Sequence, residues 1–232
     1  MAIQLHEVEC ETRTIGPLVL TTPVLRRLEF RGMVNRYCPM AEQAELDHGL
    51  VAALVIQSRR SDPRALYDLP AWAERAAMPA LYPEVERAEH VNDARAGRML
   101  EALYDQRAVI WGALVAHAAR CSQLDLHRLH AATMAMTFAG LCTDQPTVAG
   151  VPRREPGYNP AGEWLQPWKL FALAAGDGGL PVWFDGRDGG TGESTTYAPQ
   201  CAACSAHVRL ARFWPLEDVI LLFSTGHFYN SF

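Results

Sequence analysis

Cys201, Cys204 and His207 stand three apart in the run CAACSAH, and soft sulfur and imidazole donors at such spacing are the raw material of a zinc site. On a helix they fall at i, i+3 and i+6, which spreads them over different faces. A tetrahedral site would also need a fourth ligand, such as Cys142 or His227, and buried helical cysteines explain the run more simply. Asp185, Asp188 and Glu193 crowd the loop DGRDGGTGE. Their hard oxygens could hold a divalent cation, but so many glycines after a hairpin suit a solvated turn. His127 and His130 face opposite sides of a strand and make no chelating pair. Arg26, Arg27, Arg31, Arg59 and Arg60 offer planar, permanently charged donors for phosphates, and Glu29, Glu42, Glu45, Asp47 and Asp62 dilute any patch they form. Neither Gly-x-Ser-x-Gly nor Gly-x-x-x-x-Gly-Lys occurs, so serine-hydrolase and phosphate-loop chemistries lack their signatures.

Composition narrows the setting. With 232 residues and a 49% hydrophobic fraction, the chain can bury a real core as one large domain or two small ones. A formal net charge of −5 argues against wholesale polyanion binding. Lys169 is the single lysine among 21 cations, a bias that a GC-rich genome also produces. The longest uncharged apolar stretches, Leu50–Ile56 and Ala108–Ala116, are too short to span a bilayer. The opening MAIQLHEVECE has neither the basic nor the apolar region of a signal peptide. The expectation is a cytoplasmic protein with no membrane partner, its six cysteines reduced.

The elements that would position these residues fall into two regions, 1–124 and 125–232. Thr22 and Pro23 read as the cap and first turn of a helix. Ala44–Arg60 repeats Leu46, Leu50, Leu54 at helical spacing and stops in a cationic turn before Pro63. Arg64–Ala76 continues with Pro70 interrupting, and Pro79 and Pro83 mark a loop. Asn92-Asp93 caps a further helix, and a separate one over Ala108–Cys121, apolar nearly all round, should be buried. The first region is thus a helical bundle. The second opens with Leu126–Gly140, whose period-two alternation predicts a half-buried strand over His127–Phe138. A turn-rich loop runs from Gly140 to Gly162. Strands follow at Trp168–Ala174 and Leu180–Phe184, joined by the hairpin signal Gly176-Asp177-Gly178-Gly179. Then come the flexible acidic loop, a helix over Pro199–Phe213 and a buried apolar strand, Val219–Phe223. The fold class expected is α+β or α/β: a helical bundle, then three antiparallel strands, a helix and a parallel strand.

Several segments resemble, in order, a DDE insertion-sequence transposase with an N-terminal helical domain of unknown function. They are LYDLPAWAER (66–75), VNDARAGRMLEALYDQ (91–106), LHAATMAMTFAG (129–140), GDGGLPVWFDGRDGGTGESTT (176–196) and LEDVILLFSTG (216–226). The resemblance spans about residues 24–226 and implies an incomplete RNase H-like sheet. It also implies DNA transposition and recombination as the setting, transposon-end DNA as partner, and magnesium as the family's cofactor. In that family one acid on the first strand and one on the fourth meet where two metal ions assist phosphoryl transfer.

The departures fall on those acids. The first aspartate's place is Ala132 and the second's is Ser224, while the family's basic segment appears here as GYNPAGEWLQ (157–166). The family's final glutamate lies well beyond the second aspartate, so the chain is expected to be truncated. Catalytic acids are therefore expected to be absent, with no metal bound. A transposase-derived, inactive protein follows as the expectation, one that keeps DNA binding through Arg26, Arg27, Arg31, Arg59 and Arg60 or associates with itself or with an intact transposase. Two other readings stand beside it: an active metal-dependent nuclease using displaced acids Asp125, Asp185, Asp188 or Glu193, and a small metal-binding or interaction protein using Cys201, Cys204 and His207.

Overall fold

The computed structural model describes residues 12–13, 15–40, 44–76, 78–136, 151–155, 157–158, 164–165, 167–192, 199–200, 202–204 and 220–223. A helical N-terminal region is followed by a small sheet, the mixed α+β class expected from the sequence. The chain divides into two compact units, 1–110 and 111–232.

The first unit is arranged around α3 (His48–Ser61), whose Leu50, Val51, Ala52, Ala53, Leu54, Gln57 and Ser58 are all buried. Asp47 caps it, one carboxylate oxygen accepting the Leu50 N–H at 2.7 Å. The other oxygen accepts Arg31 Nε at 2.8 Å, and Arg31 also reaches Glu84 Oε1 at 2.6 Å. Arg31 lies on α2 (Phe30–Tyr37), so this cation ties α2 to the start of α3. The two helices touch backbone to backbone at Gly49. Its N–H donates to Asn35 Oδ1 at 2.7 Å, and a Cβ there would meet the Arg31 carbonyl oxygen at 2.3 Å. Glycine is needed for that approach.

Three further helices surround this pair: α1 (Leu18–Arg27), α4 (Leu69–Arg75) and the one-turn α5 (Met78–Leu81). A buried polar node ties α1 and the residue just after α5 to α3. Gln57 Nε2 donates to Thr22 Oγ1 and to the Tyr82 hydroxyl, each at 2.8 Å. Here the structure corrects the expected start of α1. Pro23 lies inside the helix and Pro17 precedes it. Thr22 is therefore not a cap but a buried residue, 2% exposed. The helix survives because Leu18 and Thr22, one turn apart, both face inward and hold it against the unit.

A second correction concerns α6 (Asp93–Ser122), a single helix of 30 residues where two were expected. Asn92 Oδ1 accepts the Arg95 N–H at 3.0 Å, so the expected cap is present. The charged run Asp105-Gln106-Arg107 contains no glycine or proline, and its residues are tolerated in a helix interior, so nothing stops the helix there. Nor is the later half buried all round, since Val109 is 49% exposed while Ile110, Val115, Ala118 and Ala119 are buried.

In the second unit the four-stranded sheet has the order β5–β4–β1–β6, with β1 (Arg128–Met136), β4 (Trp168–Ala175), β5 (Pro181–Arg187) and β6 (Ile220–Phe223). A separate two-stranded pair, β2 (Gly157–Tyr158) and β3 (Trp164–Leu165), forms within the loop region. Both β1–β4 and β4–β5 are antiparallel, and β6 joins β1 in parallel. The hairpin at 176–179 is as expected: Gly178 and Gly179 have φ of 68° and 64°, which favours glycine. β5 runs on to Arg187, through residues expected to be a loop, because β4 still pairs with it there, Phe171 with Asp185 and Lys169 with Arg187. The core face carries Leu129, Ala131, Phe171, Leu173, Ala175 and Val182, clustered with Val115 and Ala119 of α6. Residues 199–200 and 202–204 are helical, and the rest of the expected helix to Phe213 lies outside the described residues, as does Phe138.

Candidate functional site

The place where the resemblance puts chemistry is the middle of β1. Register fixes its surroundings. Ala131 pairs with Leu173 and Ala132 with Ala172 on β4, while Ala172 pairs in turn with Phe184 on β5. Because neighbouring residues of a strand face opposite sides, Ala131 points to the core, 0% exposed, and Ala132 to the other face. That second face carries His130, Ala132 and Met134 beside Ala174, Ala172 and Leu170, all half-buried or exposed. On the parallel side Ala131 is the partner of Phe223, so the residues directly preceding Ala132 and Ser224 are opposite one another. Ser224 itself lies outside the described residues.

This donor set does not fit a pair of divalent cations. A methyl group stands at Ala132 and another across from it at Ala172, and neither supplies an oxygen. His130 offers one imidazole, with Nε2 lying 3.2 Å from where a Cβ would stand on Gly176.

The other acids have their own partners. Asp125 Oδ1 accepts the His127 backbone N–H at 2.9 Å and meets His127 Nδ1 at 2.5 Å. Those bonds, backbone first, hold the Asp125 carboxyl below the usual range. Asp185 Oδ2 accepts Gln200 Nε2 at 2.8 Å, and Gln200 Oε1 accepts Trp183 Nε1 at 3.2 Å. Asp188 Oδ1 accepts the Arg153 backbone N–H at 2.7 Å, pinning one loop to another. Glu193 lies outside the described residues. Among the described residues no three His, Cys, Asp or Glu side chains converge as a metal site.

Of the thiol set, Cys204 is 4% exposed within the core cluster, while Cys201, His207, Cys142 and His227 lie outside the described residues. One His–Cys pair escaped the reading by motif. His117 and Cys121, one turn apart on α6, bring Nε2 to 3.2 Å from Sγ. Its only sequence signal is a His-x-x-x-Cys spacing inside a helical run.

The arginines sit in the helical unit. Arg26 and Arg27 are exposed in the last turn of α1, and Arg59 and Arg60 in the last turn of α3, where cations complement the helix dipole. Arg26 Nη2 donates to the Leu81 carbonyl at 2.8 Å, and Arg59 donates to the Arg64 carbonyl. Arg31 is held between Asp47 and Glu84.

Residues 10–110 match a domain of unknown function (DUF4277), a domain found in transposase-like proteins. The match ends where the first compact unit ends. No curated protein and no solved structure matches the chain. No helix among the described residues is long and apolar enough to cross a membrane.

Proposed function

We propose that this is a transposase-derived protein: a helical domain joined to an RNase H-like half-domain whose catalytic positions are emptied. It would act by binding DNA ends, or by associating with itself or an intact transposase, and not by cutting DNA. The observation that carries this reading is the parallel β1–β6 pair, in which Ala131 faces Phe223. In an RNase H-like sheet the first and fourth strands are neighbours and each brings one acid to a shared centre. The strand order β5–β4–β1–β6 supports that comparison. At the corresponding places this chain has Ala132 and Ser224. Two-metal phosphoryl transfer requires hard carboxylate oxygens, and a methyl and a hydroxyl do not replace them.

The test is a nicking assay on plasmid and on linear DNA ends, with magnesium or manganese against a chelator control. The expected result is no cleavage above the control in either metal. Cation-dependent nicking by the purified chain sinks the reading and favours the displaced acids. Association is tested separately by size-exclusion chromatography with light scattering, where a stable, well-folded monomer argues against a self-pairing role.

A further inference from the structure

We propose that His117 and Cys121 form a two-ligand site for a thiophilic divalent cation, zinc or cobalt, on the last turns of α6. The pair stands at i and i+4, so both side chains lie on one strip of the helix, and their donor atoms are 3.2 Å apart. Both residues are half-buried, which leaves them within reach of solvent.

The geometry is close to what a tetrahedral ion demands. Bonds of about 2.3 Å to sulfur and about 2.0 Å to nitrogen place the two donors about 3.5 Å apart at the tetrahedral angle. The observed separation is slightly shorter, a gap that a small side-chain rotation closes. On binding, the thiol releases its proton to solvent, the imidazole stays neutral, and the sulfur and Nε2 lone pairs go to the cation. The partial negative charge at the helix C-terminus favours a cation there. No third described His, Cys, Asp or Glu completes a cluster, so the remaining coordination positions are open to water or an anion.

The other described thiols do not offer the same chemistry. Cys38 is 3% exposed and its Sγ donates to the Ala102 carbonyl at 3.3 Å. Cys204 is 4% exposed in the core of the second unit.

Cobalt(II) chloride titrated into the reduced, full-length chain under anaerobic conditions tests the site. A saturable thiolate-to-cobalt charge-transfer band at one metal per chain is expected. Cys121→Ser should abolish the band. His117→Ala, which keeps the thiol, should weaken binding about 100-fold by removing the chelate partner. Cys204→Ser should leave the band in place. Far-UV circular dichroism confirms that each variant retains its helices. No band in the wild-type chain, or a band of unchanged affinity in either pair variant, overturns the proposal.

Discussion

Ala131 and Ala132 are chemically identical neighbours with opposite consequences. Ala131 is fully buried on the core face, so Ala131→Asp puts a carboxylate among Leu129, Leu173 and Phe171. It should cost about 3 kcal/mol or more. Ala132→Asp points to the half-exposed face and should cost about 1 kcal/mol or less. Urea unfolding of the two variants reads this directly, and equal losses would mean that the register is wrong. Asp47 provides a second residue-scale expectation. Its burial tends to raise the carboxyl pKa, but hydrogen bonds from Arg31, Asn35 and Leu50 outweigh this and hold it below the usual value. Glu84 is lowered too, chiefly by its bond from Arg31. Both folded values lie under the unfolded ones, so this stabilisation is present above the unfolded pKa of about 4 and is lost as pH falls through the folded values. The urea midpoint should drop below about pH 4, and Asp47→Asn should flatten that drop. At this scale, period-two alternation predicted a half-buried strand, but Met134 and Met136, which continue the apolar run, lie on the face opposite buried Leu129 and Ala131. Alternation could not give partners to Asp185 or Asp188, because Gln200 and Arg153 arrive from distant parts of the chain.

At the scale of elements, the decisive contact is the crossing of α2 on α3. Gly49→Ala would drive a methyl into the Arg31 carbonyl and should destabilise the helical unit by about 1–3 kcal/mol, measured by thermal or urea unfolding. Gly179→Ala has open space around it but a positive φ, so the expected loss is about 1–2 kcal/mol from backbone strain alone. Most elements were legible, because apolar spacing and capping residues act locally: α3 and its stop, the Asn92 cap, the glycine hairpin and the strands flanking it. Two misreadings arise where a distant partner overrides local preference. Pro23 stays inside α1 because Leu18 and Thr22 are held inward. β5 outruns its apolar stretch because Lys169 and Arg187 are still in register at its end. The charged run before Ala108 resembled a boundary although its residues continue a helix.

For the whole molecule, a net charge of −5 means that any DNA contact must come from local clusters and not from the overall field. If the paired arginines at the ends of α1 and α3 touch phosphates, log affinity for duplex DNA should fall with log salt by about 0.9 per phosphate contacted. Replacing Arg26, Arg27, Arg59 and Arg60 by alanine should then weaken binding and flatten that slope in a mobility-shift series. Binding with no salt dependence would remove the arginine-contact reading. One feature of the sheet bears on how the protein comes into being. β4 and β5 meet through a short glycine-rich turn, but β6 must return to β1 across about 90 residues, a contact of high order that closes late and slowly. During synthesis the β1–β4–β5 meander can therefore form while the other margin of β1 still offers bare N–H and C=O groups. A growing chain at that stage is a template for intermolecular strand pairing. Expression yield should accordingly depend on temperature and translation rate more than the mature protein's stability would indicate.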